Sequence, residues 1–400
     1  MMINLEIPEA IRKAEEQARM LAEHFFRPIS RKYDKQEHDY PTELDAFADL
    51  RRMGGSGGGK KKEPKPGEVV NGSNMSGVSS IGQLCWGDVG LMMAMPGSGL
   101  GNAAIGAAGT PEQKEKYAGC YAAMAITEPG AGSDSKNVST TATLEGDQWV
   151  LNGEKIFVSD GERCSHIVVW ATLDKSKGKA AIKSFIVEKG TPGCELVRVE
   201  DKLGLRASDT ATIRFENCHI DRDCLLGDKP EVAATEEERK KAFGGVMQTF
   251  DNTRPMVAAM AIGVARGALD LCEDILGKEG ITLDYNKSRI QLSAIEAELY
   301  SLEADWEAAR LLVLNAAWMA DNGKPNSTEA SMSKAKAGRM CNKVTLSCVK
   351  LCNNLGYSEE NLLEKFARDS KILDIFEGTQ QIQQLIIARN ILGKSSSELK

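Results

Sequence analysis

The sequence predicts an α+β multidomain fold: an N-terminal helical domain, a middle β-barrel or sandwich domain, and a C-terminal four-helix bundle. Three observations predict it. Apolar residues recur at helical spacing near the N-terminus, at Ile11, Ala14, Ala18, Leu21, Ala22 and Phe25. Short β-like runs broken by turn residues replace that pattern after residue 121. Long Ala- and Leu-rich helical stretches return from about residue 238. The implied boundaries are 1–120, 121–235 and 238–400, and a chain of 400 residues is long enough for several cores.

Residues 8–50 read as two helices, the first ending near Pro28 and the second running from Thr42 to Met53. Residues 54–67, Gly-Gly-Ser-Gly-Gly-Gly-Lys-Lys-Lys-Glu-Pro-Lys-Pro-Gly, cannot pack a core and read as an exposed flexible loop. The loop comes close to the phosphate-binding pattern G-x-x-x-x-G-K-[ST]. Lys61 stands where the hydroxyl belongs, and no strand precedes it. Residues 77–120 are rich in Gly, Ala and Met, and Thr110-Pro111-Glu112-Gln113 reads as a capped helix start. The runs at 149–151, 155–158, 166–171, 184–187 and 211–215 read as strands. Turns are expected at Glu145-Gly146-Asp147, Asn152-Gly153 and Asp160-Gly161. Thr253-Arg254-Pro255 is read as opening a long helix to Leu276, and Leu292 to Ala320 as a second. Asn326 with Glu329 suggests a capping box for a third, and a fourth begins near Thr379.

The net charge of −7 gives no electrostatic reason to bind nucleic acid or an acidic membrane. No apolar run is read as a membrane span, and the first residues resemble neither a secretory signal nor a transit peptide. Ten scattered cysteines in a long chain point to reduced thiols and a cytoplasmic setting. Four histidines, none at finger spacing with a cysteine, give no metal site.

Chemistry concentrates in three segments. In Ile375-Phe376-Glu377-Gly378-Thr379-Gln380-Gln381, a lone carboxylate sits between an aromatic residue and a glycine. Phe376 would desolvate the acid and raise its pKa, and Gly378 would let a flat ligand approach the backbone, which suits a general base acting on carbon. The same residues also read as a plain helix start, with Glu377 favouring the dipole and Thr379 capping. The second segment is Ala125-Ile126-Thr127-Glu128-Pro129-Gly130-Ala131-Gly132-Ser133-Asp134. Its glycines and hydroxyls expose backbone amides to a phosphate or a ring edge, or simply form a linker. In the third, Asn152 to Gly161, Phe157 and Ser159 share one strand face, as a flavin platform or as core and rim.

These segments, with Phe250-Asp251-Asn252-Thr253-Arg254-Pro255 and Asp369 to Gln383, resemble the acyl-CoA dehydrogenase family over nearly the whole chain. The resemblance implies FAD as cofactor and oxidation of an acyl-CoA thioester to trans-2-enoyl-CoA. Glu377 would abstract the α-proton while hydride passes to flavin N5. Cofactor contacts would come from Met124, Ile126, Thr127, Ser133, Phe157, Ser159, Thr379 and Gln381. Ser133, Asp251, Thr253, Arg254 and Gly378 would meet the substrate. Some members carry the base on the helix opened by the fourth motif, where Thr253 stands here and cannot act as a base. An electron-transfer flavoprotein is the acceptor the resemblance implies, within a tetramer.

Three family stretches are absent. An R-x-x-F-G stretch is replaced by Lys278-Glu279-Gly280-Ile281-Thr282-Leu283-Asp284, and a Q-x-x-G-G stretch by Lys350-Leu351-Cys352-Asn353-Asn354. A P-x-x-x-G-G stretch is replaced by the loop at 54–67. The first two serve the FAD of a neighbouring subunit in the family. Their loss leaves open a heteromer with a related chain, a homotetramer in which Lys278, Lys287 or Arg289 substitutes, or weakened flavin binding. The alternative function is a heteromeric or non-catalytic subunit that binds CoA esters. In the expected pocket floor, Leu91 to Gly97, methionines line the acyl group, Pro96 kinks a helix, and no cation is present to hold an ω-carboxylate.

Overall fold

In the computed structural model, residues 7–45, 72–97, 99–227, 231–232, 236–395 and 398 are described, with backbone alone for 236–252. The loop at 54–67 and most of the helix expected at 42–53 lie outside these residues; the described part, Thr42–Leu44, is a single 3-10 turn. The first helical stripe does not stop at Pro28. Helix α1 (Glu9–Leu21) passes through a wide π turn at Ala22–Phe26 into α2 (Arg27–Lys35), with Pro28 in the first turn of α2. A proline is tolerated there because a first-turn N–H has no partner to lose, and the π turn resets the ladder just before it.

Helices α3 (Ser73–Gly87), α4 (Val89–Ala94), α5 (Leu100–Ala108) and α6 (Pro111–Lys116) complete the N-terminal part. The expected start at Thr110 is a true capping box: Gln113 N–H donates to Thr110 Oγ1 at 3.2 Å, and Thr110 N–H donates to Gln113 Oε1 at 3.0 Å. Pro96 does not kink a helix, because α4 has already ended at Ala94.

A seven-stranded sheet follows: β1 (Ala122–Ala125), β2 (Thr141–Glu145), β3 (Gln148–Ser159), β4 (His166–Thr172), β5 (Ile182–Glu188), β6 (Cys194–Val199) and β7 (Thr210–Asp221). Parallel β1 and β2 meet β4, antiparallel β5 also pairs with β4, and β3, β7 and β6 extend the sheet from β2. β1, β2 and β6 escaped the sequence reading because short alanine-rich or polar stretches carry little β signal. The turn expected at Asn152-Gly153 does not exist: β3 continues through it, with a shift of register against β7 between Leu151 and Gly153. A Cβ on Gly153 would lie 2.4 Å from Thr140 Oγ1, so glycine here serves close packing rather than reversal.

Helix α7 (Glu236–Lys278) begins well before Thr253 and carries Pro255 inside it, since one lost ladder bond does not stop a helix flanked by good helix formers. Its stretch Thr253–Lys278 is long and apolar enough to cross a bilayer, contrary to the sequence expectation, but 72% of its apolar window is buried within the protein. Helices α8 (Ala294–Asp321) and α9 (Ser327–Leu351) pack with it and α12 (Gln380–Leu392) packs on α9, while α10 (Asn353–Tyr357) and α11 (Leu363–Ser370) bridge α9 to α12. The capping box expected at Asn326 is not formed. Its amide instead donates to Ala316 O at 3.0 Å and ties α9 to α8. One core joins α3 with α7, α8 and α9 through Met75, Val78, Cys85, Leu269, Val313 and Val344.

The parts are locked by a buried ionic cluster. Lys365 Nζ lies 2.8 Å from Asp88 Oδ2 and 2.6 Å from Asp369 Oδ2. Asp88 also accepts from Ser30 and, at 2.9 Å, from Leu91 N–H; Asp369 accepts from Leu205 N–H at 2.7 Å. Burial alone would lower the Lys365 pKa, but the two carboxylates outweigh it and raise it. Replacing Lys365 with Met leaves two buried carboxylates facing each other. The expected outcome in thermal or urea unfolding is a loss of about 3–5 kcal/mol.

Candidate active site

A helix does start in this segment, at Gln380, but Glu377 stands three residues before it. Glu377 (φ 55°) and Gly378 (φ 92°) are consecutive left-handed residues, and α12 begins only after Thr379, whose side chain does not cap it. An acidic residue in this region costs about 1–2 kcal/mol, so the surroundings must hold it. They do so mainly from α9. Gly338 admits the 3-10 turn Ile372–Asp374, since a Cβ there would lie 2.8 Å from Leu373 O. Gln380 Nε2 donates to Ala335 O at 2.6 Å, and Lys334 Nζ donates to Gly378 O at 2.7 Å. From α12, Gln383 Nε2 donates to the carbonyls of Glu377 and Gly378 at 3.0 and 3.1 Å.

The Glu377 carboxylate accepts from Thr253 Oγ1 at 3.1 Å. Glu377 is half-buried. Burial raises its pKa; the Thr253 hydrogen bond and the charges of Arg254 and Lys334 oppose that rise. Thr253 and Arg254 thus converge on the acid from α7, Arg254 being only 4% exposed. The side chain of Asp251 lies outside the described residues.

The 125–134 segment is braced by residues the sequence reading left without a role. Glu128 Oε1 pairs with Lys155 Nζ at 2.8 Å and accepts from Thr140 N–H at 2.9 Å; its Oε2 accepts from Ser139 N–H and Oγ at 2.6 and 2.5 Å. Lys155 also donates to Ile126 O at 3.0 Å, and Ile156 N–H to Thr127 O at 2.9 Å. The segment is therefore stitched to β3. The available signal was an acid and a base inside two quoted motifs, 27 residues apart. Burial drives the Lys155 pKa down to about 8, while burial of Glu128 is outweighed by Lys155 and the other donors, which bring it to about 2.

Just beyond this brace, β3 carries a β-bulge between Lys155 and Val158. Phe157 takes φ 56° and stands 61% exposed, Val158 is buried and Ser159 half-buried; the bulge interrupts the alternation on which the shared face of Phe157 and Ser159 was expected. A bulky side chain in the left-handed region and open to water is a marked outlier, and bulges commonly re-aim a side chain at a site. Met124, Ile126 and Thr127 are half-buried at the adjoining end of β1, Ser133 and Gln381 are exposed, and Thr379 is half-buried beside Glu377. An exposed aromatic ring beside a glycine- and hydroxyl-bearing loop fits the flat, amphipathic ring of a flavin. Of the cations considered as substitutes for the absent Arg, Lys287 is taken up by Glu296 at 2.6 Å, while Lys278 and Arg289 are exposed. A groove of about 360 Å³ is lined by Lys336, Arg339, Lys343, Gln380 and Gln384, with Asp305 ion-paired to both lysines.

Three family models match in succession: acyl-CoA dehydrogenase N-terminal domain over residues 8–125, middle domain over 123–218 and C-terminal domain over 243–392. The mitochondrial short-chain specific acyl-CoA dehydrogenase of Bos taurus is 33% identical over 409 residues, covering 97% of this chain and 92% of that one. The chain belongs to the acyl-CoA dehydrogenase family. It is an oxidoreductase of that FAD-dependent flavoprotein family. The acryloyl-CoA reductase (NADH) of Anaerotignum propionicum is equally similar, 33% over 392 residues, covering 94% of this chain and 92% of its own. The butyryl-CoA dehydrogenase structure of Megasphaera elsdenii superimposes with a TM-score of 0.82 at 28% identity, covering 98% of this chain and all of that one.

The Glu128–Lys155 brace makes a pH prediction. A carboxylate whose pKa falls from 4.5 to about 2 on folding contributes stability that is full above 4.5 and lost as pH falls toward 2. Melting temperature measured across this range should drop in the wild type and change less in Glu128→Gln. At neutral pH that variant should already be less stable by about 3–5 kcal/mol, having left Lys155 buried without its partner.

Proposed function

We propose that this acyl-CoA dehydrogenase family member removes two hydrogens from the α,β bond of an acyl-CoA thioester to give the trans-2-enoyl-CoA, with Glu377 as the base. The observation that carries the reading is the Glu377 carboxylate, held in a left-handed elbow and desolvated, with its pKa raised. Retaining a strained acidic residue is costly unless its position matters. The raised pKa makes the carboxylate a better proton acceptor, while Thr253 and Arg254 orient it and keep the rise within bounds.

In this reading the acyl thioester lies across the Glu377–Gly378 elbow. Glu377 takes the α-proton, and hydrogen bonds at the thioester oxygen, including one from the Glu377 N–H, stabilise the developing enolate. Bound FAD supplies the acceptor for the hydride that leaves the β-carbon. Proton and hydride together balance the new double bond. Met124, Ile126, Thr127, Ser133, Phe157, Ser159, Thr379 and Gln381 would hold the cofactor; Ser133, Asp251, Thr253, Arg254 and Gly378 would meet the substrate. An electron-transfer flavoprotein is the proposed acceptor, and a tetramer, of one chain type or two, the proposed assembly.

A second reading, net reduction of a 2-enoyl-CoA, is favoured by the similarity to the acryloyl-CoA reductase. The same Glu377 would then return its proton to the α-carbon, and reduced FAD, when bound, would supply the hydride for the β-carbon. Incubating purified protein with saturated and with 2-unsaturated thioesters, with products analysed, separates the directions. Purification of the chain alone with stoichiometric FAD would remove the need for a partner chain; colourless protein would favour the heteromeric or non-catalytic subunit.

Glu377→Gln should lower kcat by about 10²–10⁴-fold while the flavin spectrum persists. Full activity in that variant would refute Glu377 as base. Thr253→Val removes a hydrogen bond that lowers the carboxylate pKa, so the acidic limb of the kcat/KM profile should move to higher pH.

A further inference from the structure

We propose that Lys334 is a positioning residue for the Glu377 carboxylate: its buried ammonium clamps the Gly378 carbonyl, locks the left-handed elbow and sets a positive charge behind the acid. The inference rests on the reading of Glu377 as base and adds a residue that none of the sequence motifs contains.

Lys334 lies on α9, its side chain fully buried, and its Nζ donates to a backbone carbonyl, Gly378 O, at 2.7 Å. A buried ammonium is costly, and a carbonyl offsets that cost less than a carboxylate does. Hydrogen bonding alone does not call for a charge at this point. The neutral amide of Gln383 already serves the same carbonyl at 3.1 Å and that of Glu377 at 3.0 Å. What lysine adds is charge, together with a hydrogen bond about twice as strong as a neutral one.

The placement is directed at the elbow. Lys334 and Gly338 are four residues apart on α9 and therefore share a face. Gly338 admits the turn that leads into Glu377, and Lys334 holds the peptide that leaves it. The charged groups facing the ammonium are Asp374 from that turn, Glu377 from the elbow and Arg254 from α7. The two acids favour the ammonium and Arg254 opposes it, while burial, the largest effect, brings its pKa down to about 8. Lys334 is thus charged at neutral pH and loses its charge as pH rises through about 8.

The test compares kcat and KM across pH for the wild type, Lys334→Met, Lys334→Gln and Lys334→Arg, with flavin spectrum and melting temperature as checks on folding. The Met and Gln variants should lose about 10- to 100-fold in kcat with KM within about threefold, as displacement of a reacting group does. Their acidic limb should move to higher pH, because a charge that favours ionised Glu377 is gone. The wild type should lose activity as pH rises through about 8, and Lys334→Arg should restore activity and abolish that limb. Should Lys334→Met fail to fold, Lys334→Gln, which keeps a neutral donor, and the wild-type profile decide. Wild-type kcat and an unmoved acidic limb in Lys334→Gln, beside an inactive Glu377→Gln, overturn this proposal and leave the base assignment standing. An active Glu377→Gln overturns the base assignment and this proposal with it.

Discussion

The geometry of this molecule depends on Lys365, an ammonium buried between Asp88 and Asp369. Each carboxylate is also bonded to backbone from a different part of the chain. Asp88 caps α4 by accepting from Leu91 N–H, and Asp369 takes the N–H of Leu205, in the loop before β7. Three segments with no sequence proximity are therefore fixed to one charge. A buried ion pair adds little to stability against an apolar alternative, but breaking one is expensive, so the cluster acts chiefly to exclude other arrangements of the parts. Arg368, next to Asp369, extends the lock to Asp34 on α2 at 2.6 and 2.9 Å.

The lock bears directly on the proposed chemistry because Asp369 lies only eight residues before Glu377. From the end of α11 the chain passes through one 3-10 turn, with Leu373 buried in the helical core, and enters the elbow. Asn342 on α9 holds Ser370 O at 2.9 Å on the way. Every few residues of this path are tied to α9 or to the ionic cluster, leaving the acid little freedom to swing. Proton transfer from carbon profits from such fixity, since reorganisation at the moment of reaction is avoided.

The order of the three parts was legible in the sequence because hydrophobic period switches from helical to strand-like and back, and the shared core then follows from packing. Composition alone left Glu377 open between a base and a helix start and the 125–134 loop open between a site and a linker; the family resemblance singled them out, and Thr253 came from that resemblance alone. Less legible was whatever depends on contacts between distant residues. Asn152-Gly153 has the composition of a turn, yet Thr140 packing against Gly153 makes it a strand interior. Pro255 has the composition of a helix start, yet the helix begins far upstream. Asn326 has the composition of a cap, yet the carbonyl of Ala316 claims its amide. At Asn152-Gly153 and at Asn326 a tertiary contact overrode local propensity, whereas at Pro255 the flanking helix formers carried the helix past the proline. Lys334 was missed for another reason: a lysine in a sequence reads as surface, and only its burial marks it out.

The backbone strain follows the same division. Phe157 and Glu377 are non-glycine residues in left-handed conformation, one on the sheet and one on the bundle. Each stands beside a buried lysine that donates to a main-chain carbonyl of the adjoining segment: Lys155 to Ile126 O, and Lys334 to Gly378 O. A strained residue relaxes unless its neighbours are held, and a charged donor in a low-dielectric interior holds a carbonyl more firmly than a neutral one. The ring of Phe157 and the carboxylate of Glu377 are the two groups that the proposed reaction needs in fixed places, one against the cofactor and one against the α-carbon. In that proposal each is a strained residue beside a buried cation, so the desolvation cost of each lysine is tied to the placement of one proposed site group.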